Sequence, residues 1–182
     1  MTAQPKPPSA ERVVASRRIH EGRIVRLRED TVELEDGRTA LREVVEHDDV
    51  VGIVPLDSEG NVILVRQFRL PAKEVLLEIP AGGVDMGENA EEAAQRELQE
   101  ETGYRAAQLD RLAGFFVSPG YCTEFIHVFL ATDLSESVIA ADDDENIALE
   151  RMPLAQAVQL IHRGQIKDGK SIVGLLLAMD RL

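Results

Sequence analysis

The sequence has no tryptophan, five phenylalanines and two tyrosines among its 182 residues. A core must therefore be built from aliphatic side chains, and a hydrophobic content of 44% supplies them. Cys122 is the one cysteine, which excludes a disulfide within the chain. No histidine-and-acid setting surrounds it in sequence, so it reads as a small core residue rather than a nucleophile. Positive charge is short as well: 20 Lys and Arg stand against 33 Asp and Glu, a net charge of −13. That balance argues against a nucleic-acid backbone or an anionic membrane as the main partner, since both need a basic surface. Most of the acidity reads as solvated surface, with a few carboxylates available to gather around metal ions. No apolar run approaches the roughly 20 residues that span a bilayer. No charged-then-apolar leader pattern opens the chain, so residence in the cytoplasm is expected.

The order of patterns along the chain predicts an α+β fold. Residues 1–11 are polar and proline-rich and read as a disordered tail. Residues 12–47 read as a small antiparallel β unit, with strands over 13–19, 24–34 and 39–45 and a tight turn at Asp36-Gly37. Three short strands bury little alone, so this unit is expected to pack on something, and a homodimer is the expected form. The main domain, 48–182, opens with strands over 51–56, 62–68 and 75–80. Pro80-Ala81-Gly82-Gly83 is expected to break the third. A helix is predicted from Asn89 to Thr102, ended by Gly103. Strands near 109–117 and 125–132, an acidic loop over 133–145 and a short strand at 148–152 follow. Helices are predicted over 154–163 and 171–181.

The stretch Gly82 to Tyr104, GGVDMGENAEEAAQRELQEETGY, carries the chemistry. At about 100° per residue, Ala90, Ala94 and Leu98 share an apolar stripe. Glu97 and Glu101 lie one turn apart, with Glu100 beside them, and Glu101 falls within the apolar arc. A carboxylate pressed on a core is costly unless it is paired or bound to a cation. Taken alone, the face reads more readily as solvated acid, with Arg96 making local ion pairs. Gly82 and Gly83, which let the backbone approach a ligand, and Glu88 just ahead of the helix favour a divalent-cation site instead. Hard oxygen ligands there would select Mg²⁺ or Mn²⁺.

This stretch resembles the Nudix box, G-x5-E-x7-R-E-U-x-E-E-x-G-U, with U a bulky apolar residue. Gly82, Glu88, Arg96, Glu97, Leu98, Glu100, Glu101 and Gly103 match at the required spacing. Tyr104 departs from the more usual Ile, Leu or Val. Chance coincidence at average residue usage is on the order of 10⁻⁸ per start position. The resemblance implies a Nudix-type α/β/α sandwich with a mixed sheet, plus the N-terminal β unit. It also implies Glu97 and Glu101 as principal metal ligands, with Glu100 and the Ala81 carbonyl as further ones. Glu88 and Arg96 would orient those carboxylates, Arg96 through its planar fork.

Beyond the box, Gln67-Phe68-Arg69, Leu77-Glu78-Ile79-Pro80-Ala81-Gly82, and Ser118-Pro119-Gly120 followed by Glu124 resemble the ADP-ribose pyrophosphatase branch. By itself Pro119-Gly120 is also a plain turn signal. The branch implies Arg69 as a phosphate contact, with Glu78, Pro119 and Glu124 lining the substrate site. Arg42 and Glu43 resemble a segment that reaches a partner subunit's adenosine pocket; read from the residues alone they are ordinary strand-surface charges. Glu145, closing the run DDDEN, matches a loop glutamate that serves as general base, with Asp144 as runner-up. None of His20, His47, His127 and His162 lies in a motif that suggests a base. The implied reaction is Mg²⁺-dependent hydrolysis of ADP-ribose to AMP and ribose 5-phosphate. Its rivals are a pyrophosphatase for GDP-mannose, NADH or a related compound, and a non-catalytic nucleotide-sensing regulator. A regulator would predict a degraded box or an attached DNA-binding module, and neither is evident.

Overall fold

The computed structural model describes residues 10–137 and 146–181. Contacts divide the chain into two units: Met1–Asp48 together with Ser118–Glu124, and Asp49–Val117 together with Phe125–Leu182.

The first unit is an antiparallel meander of β1 (Arg12–Glu21), β2 (Arg26–Glu33) and β3 (Thr39–Glu46), in the order β1-β2-β3. Asp36-Gly37 makes the expected turn, closed by the Gly37 N–H donating to the Leu34 carbonyl. The middle strand carries the polar interior. Asp30 is buried, accepts from the Ser16 hydroxyl at 2.6 Å and pairs with the Arg28 Nε at 2.9 Å. Ser118–Glu124 joins this unit through backbone bonds to Val45, which donates to the Tyr121 carbonyl and accepts from the Thr123 N–H. Edge strand β1 is exposed along its whole length, including Val13, Val14 and Ile19.

The second unit contains β4 (Val50–Pro55), β5 (Asn61–Arg69), β6 (Glu74–Glu78), β7 (Ala81–Gly83), α1 (Ala90–Thr102), β8 (Tyr104–Phe116), β9 (Phe125–Glu136), β10 (Ala148–Pro153), α2 (Leu154–His162) and α3 (Gly169–Met179). They form a mixed sheet, β7-β4-β9-β8, with β4 and β9 parallel, and an antiparallel sheet, β10-β5-β6. Side chains alternate across a strand, and β4 uses both faces. Val51 and Ile53 pack with Ala93, Ala94 and Leu98 of α1, while Val54 packs with Leu175 and Ala178 of α3. The mixed sheet therefore lies between helices, as the Nudix-type sandwich requires.

The Pro80–Gly83 stretch ends the third strand as expected, since β6 stops at Glu78, and it also pairs elsewhere. Ala81–Gly83 forms the short strand β7, antiparallel to β4 with Gly82 opposite Val51, because ladder bonds use backbone groups that glycine retains. The acidic loop begins later than expected. Tyr104 pairs with Glu136, so β8 starts directly after Gly103 and β9 carries residues 133–136 in strand.

Candidate active site

Helix α1 starts and stops by local chemistry. The Asn89 side chain accepts from the Glu91 and Glu92 N–H groups, and the Glu92 carboxylate reaches back to the Asn89 N–H. This capping box satisfies amides that a helix start leaves without partners. At the other end Gly103 takes a left-handed conformation, φ 74°, and its N–H bonds the Gln99 carbonyl. The register so set buries Ala93, Ala94 and Leu98, and with them Glu97 and Glu101.

Both buried carboxylates reach from α1 to the short strand β7 that follows Pro80. The Glu101 Oε2 accepts from the Ala81 N–H at 3.0 Å. The Glu97 carboxyl rests against Gly82, where a Cβ would stand 2.0 Å from its Cδ. Only glycine leaves that space, so Gly82 is a packing requirement of the carboxylate.

Arg96 ties the remaining acids together. Its Nε and Nη2 donate to the two oxygens of Glu88 at 3.1 and 3.0 Å. Its Nη1 donates to Glu97 at 2.6 Å and to Glu100 at 3.0 Å, and Nη2 also reaches the Gly83 carbonyl at 2.8 Å. Hydrogen bonding to Glu88 first, and then to Glu97 and Glu100, raises the guanidinium's pKa above its ordinary value against the opposing effect of burial. The Arg96 fork in turn holds the Glu88 carboxyl below the usual range.

A metal would meet hard carboxylate oxygens here, two of them already backed by buried packing. Among the described residues, no three His, Cys, Asp or Glu side chains come together as a group that could hold a metal ion by themselves. Mg²⁺ retains several waters and takes one or two carboxylates plus substrate phosphate rather than a full protein cage. The donor set therefore fits such an ion.

Arg69 and Glu78 meet in the second unit. Arg69 Nε and Nη2 donate to the two Glu78 oxygens, each at 2.9 Å, in a bidentate pair. Burial by itself pushes the Glu78 carboxyl up, but the Arg69 hydrogen bond and the nearby Lys170 outweigh it and hold the group below the usual range. Arg42, Glu43, Pro119 and Glu124 all fall in the first unit. Arg42 pairs with Glu11, Glu43 and Pro119 are exposed, and Glu124 is half-buried. Pro119 sits in a turn in which the Ser118 carbonyl accepts from the Tyr121 and Cys122 N–H groups. Glu145 and Asp144 lie outside the described residues. Sequence patterns did not single out Lys170 of α3, whose ammonium joins the Arg69–Glu78 pair, or the N-cap residue Asp168, which pairs with Lys170. Nor did they single out His127, which bonds Asp49 at 3.0 Å and Arg111 at 3.3 Å.

A family model described as NUDIX domain matches residues 46–173, and one described as nucleoside diphosphate sugar hydrolase N-terminal domain matches 11–45. An ADP-ribose pyrophosphatase of Bacillus subtilis is 38% identical over 163 residues, covering 88% of each chain. A methanol dehydrogenase activator of Bacillus methanolicus is 38% identical over 167 residues, covering 91% of this chain and 90% of that one. GDP-mannose pyrophosphatases occur among further relatives. The solved structure of an ADP compounds hydrolase superposes with a TM-score of 0.88 at 24% identity. It covers 98% of this chain and 97% of that one, and so shares the fold. Among the described residues no helix is long and apolar enough to cross a membrane.

Proposed function

The chain belongs to the Nudix hydrolases, and from that membership we propose that it splits the pyrophosphate of ADP-ribose into AMP and ribose 5-phosphate. Convergence of the Glu97 and Glu101 carboxylates on Ala81-Gly82 carries this reading. Family members use a divalent metal; here we take it to be Mg²⁺, with Mn²⁺ as a substitute, held by Glu97, Glu101, Glu100 and the Ala81 carbonyl. Held there, such an ion would supply charge screening for the pyrophosphate and would lower the pKa of a bound water.

The protein's own groups do the rest. Arg96 fixes the relative positions of Glu88, Glu97 and Glu100, so the carboxylates do not have to reorganise when substrate arrives. Arg69 contacts a substrate phosphate through the guanidinium edge that Glu78 does not occupy. Glu145 takes the proton of the attacking water. In a homodimer paired through residues 12–47, Arg42 and Glu43 contribute to the other subunit's pocket, and Pro119 and Glu124 line the substrate site. The exposed apolar side chains of β1 support an interface there. The chain is read as acting in the cytoplasm.

The test is Mg²⁺-dependent turnover across ADP-ribose, GDP-mannose, NADH and related compounds. ADP-ribose is expected to give the highest kcat/KM. Higher turnover of another compound moves the substrate assignment, and no turnover of any compound overturns the catalytic reading in favour of a nucleotide sensor.

A further inference from the structure

Glu78 has a second cation besides Arg69. Lys170 stands in the first turn of α3, and its ammonium lies against Glu78 Oε2 and 3.0 Å from Asp168 Oδ2. The Glu78 side chain is 1% exposed and that of Lys170 10%. Lys170 has little freedom to move. Asp168 caps α3 by accepting from the Ser171 N–H and hydroxyl, and the same hydroxyl accepts the Ile79 N–H at 2.8 Å. The ammonium is thereby fixed relative to the residue that follows Glu78.

Stability alone is a weak reason for this arrangement, since buried ion clusters often stabilise no better than apolar groups of the same volume. Arg69 suggests another reason. It is 39% exposed, it commits one edge of its fork to Glu78, and Glu101 is near enough to act on its charge. A guanidinium facing a single carboxylate has much of its charge cancelled toward an incoming anion. A second cation on that same carboxylate restores part of the attraction, less the share of the ammonium that Asp168 takes.

We propose that Lys170 is a positioning residue for pyrophosphate binding, sharing Glu78 so that the Arg69 fork stays oriented and its positive charge stays available to a substrate phosphate. The inference rests on the pyrophosphatase reading above and extends it to a residue outside the box. Asp168 is the brace that holds the ammonium in place.

The test is a double-mutant cycle of Lys170→Met and Arg69→Ala, read two ways. One readout is calorimetric binding of ADP-ribose in the presence of a chelator; the other is KM and kcat with Mg²⁺. Lys170→Met is expected to weaken binding and raise KM about tenfold while changing kcat little. In the Arg69→Ala background it is expected to have no further effect, because the two side chains act through one contact. An equal loss in both backgrounds, or no loss in either, overturns the proposal. Should the methionine variant not fold, Lys170→Gln is read in the same way, since it keeps polarity but not charge. A wild-type protein that neither binds nor turns over any compound of the panel defeats the pyrophosphatase reading and this inference with it. Active wild type, weakened by Arg69→Ala but indifferent to Lys170→Met, defeats this inference alone.

Discussion

The Glu97 carboxyl occupies the space where residue 82 would carry a Cβ, 2.0 Å from its Cδ. Gly82→Ala must therefore push Glu97 off the strand. Overpacking of this kind costs about 1–3 kcal/mol, and the expected larger effect is on turnover, which falls by roughly 10²-fold as the carboxylate is displaced. Chemical denaturation and steady-state kinetics separate the two. A variant with wild-type kcat shows that the carboxylate can move without consequence.

Glu97→Gln and Glu101→Gln keep shape and remove charge. Each is expected to lower kcat by about 10²-fold or more. Titration with Mg²⁺ should show weaker metal dependence in both. Normal activity with a normal Mg²⁺ profile in both variants sinks the assignment of the cation site to this helix face.

Glu145→Gln is expected to lower kcat by roughly 10²- to 10⁴-fold with little change in KM, as loss of a general base requires. Asp144→Asn, one residue away, is the matched control. Equal small effects, or an effect of Asp144 alone, remove Glu145 from that role.

The Glu78 carboxyl sits lower than an unfolded glutamate's because Arg69 and Lys170 outweigh the effect of its burial. A depressed folded value means that the ionised group stabilises the fold above the unfolded value of about 4.3, and that this is lost as pH falls through the folded value. Glu78→Gln is expected to cost about 3 kcal/mol at neutral pH, the low end for breaking a buried pair because Arg69 is part-exposed. The gap between wild type and variant should close below about pH 4.3. Denaturant midpoints measured from pH 7 downward report it, and a gap independent of pH is the contrary outcome.

Sedimentation at micromolar concentration is expected to give a dimer, and charged replacements at Val13 and Val14 to give a monomer with reduced activity. A fully active wild-type monomer removes the proposed role of residues 12–47 and of Arg42 and Glu43.

Local chemistry carried much of this protein in its sequence. The helix Ala90–Thr102 was legible because its start and stop depend on groups within a few residues: the Asn89 and Glu92 capping box, and a glycine at 103 able to turn left-handed. The spacing of Glu97 and Glu101 placed both on one face, partly inside the apolar arc, and burial of both follows from that register. Other features needed the assembled chain. The strand Ala81–Gly83 exists because β4 offers it a ladder, not because proline and glycines favour extended pairing. Ser118–Glu124 gathers with the first unit through Val45, which no local pattern marks. Lys170 lies 92 residues from Glu78 in sequence, and only the placing of the α3 N-terminus in the folded unit brings the ammonium to that carboxylate. Hydrogen bonds and periodicities that close within a turn can be read along the chain. Which distant side chain neutralises a buried charge is decided by how the faces pack, and so by the tertiary structure alone.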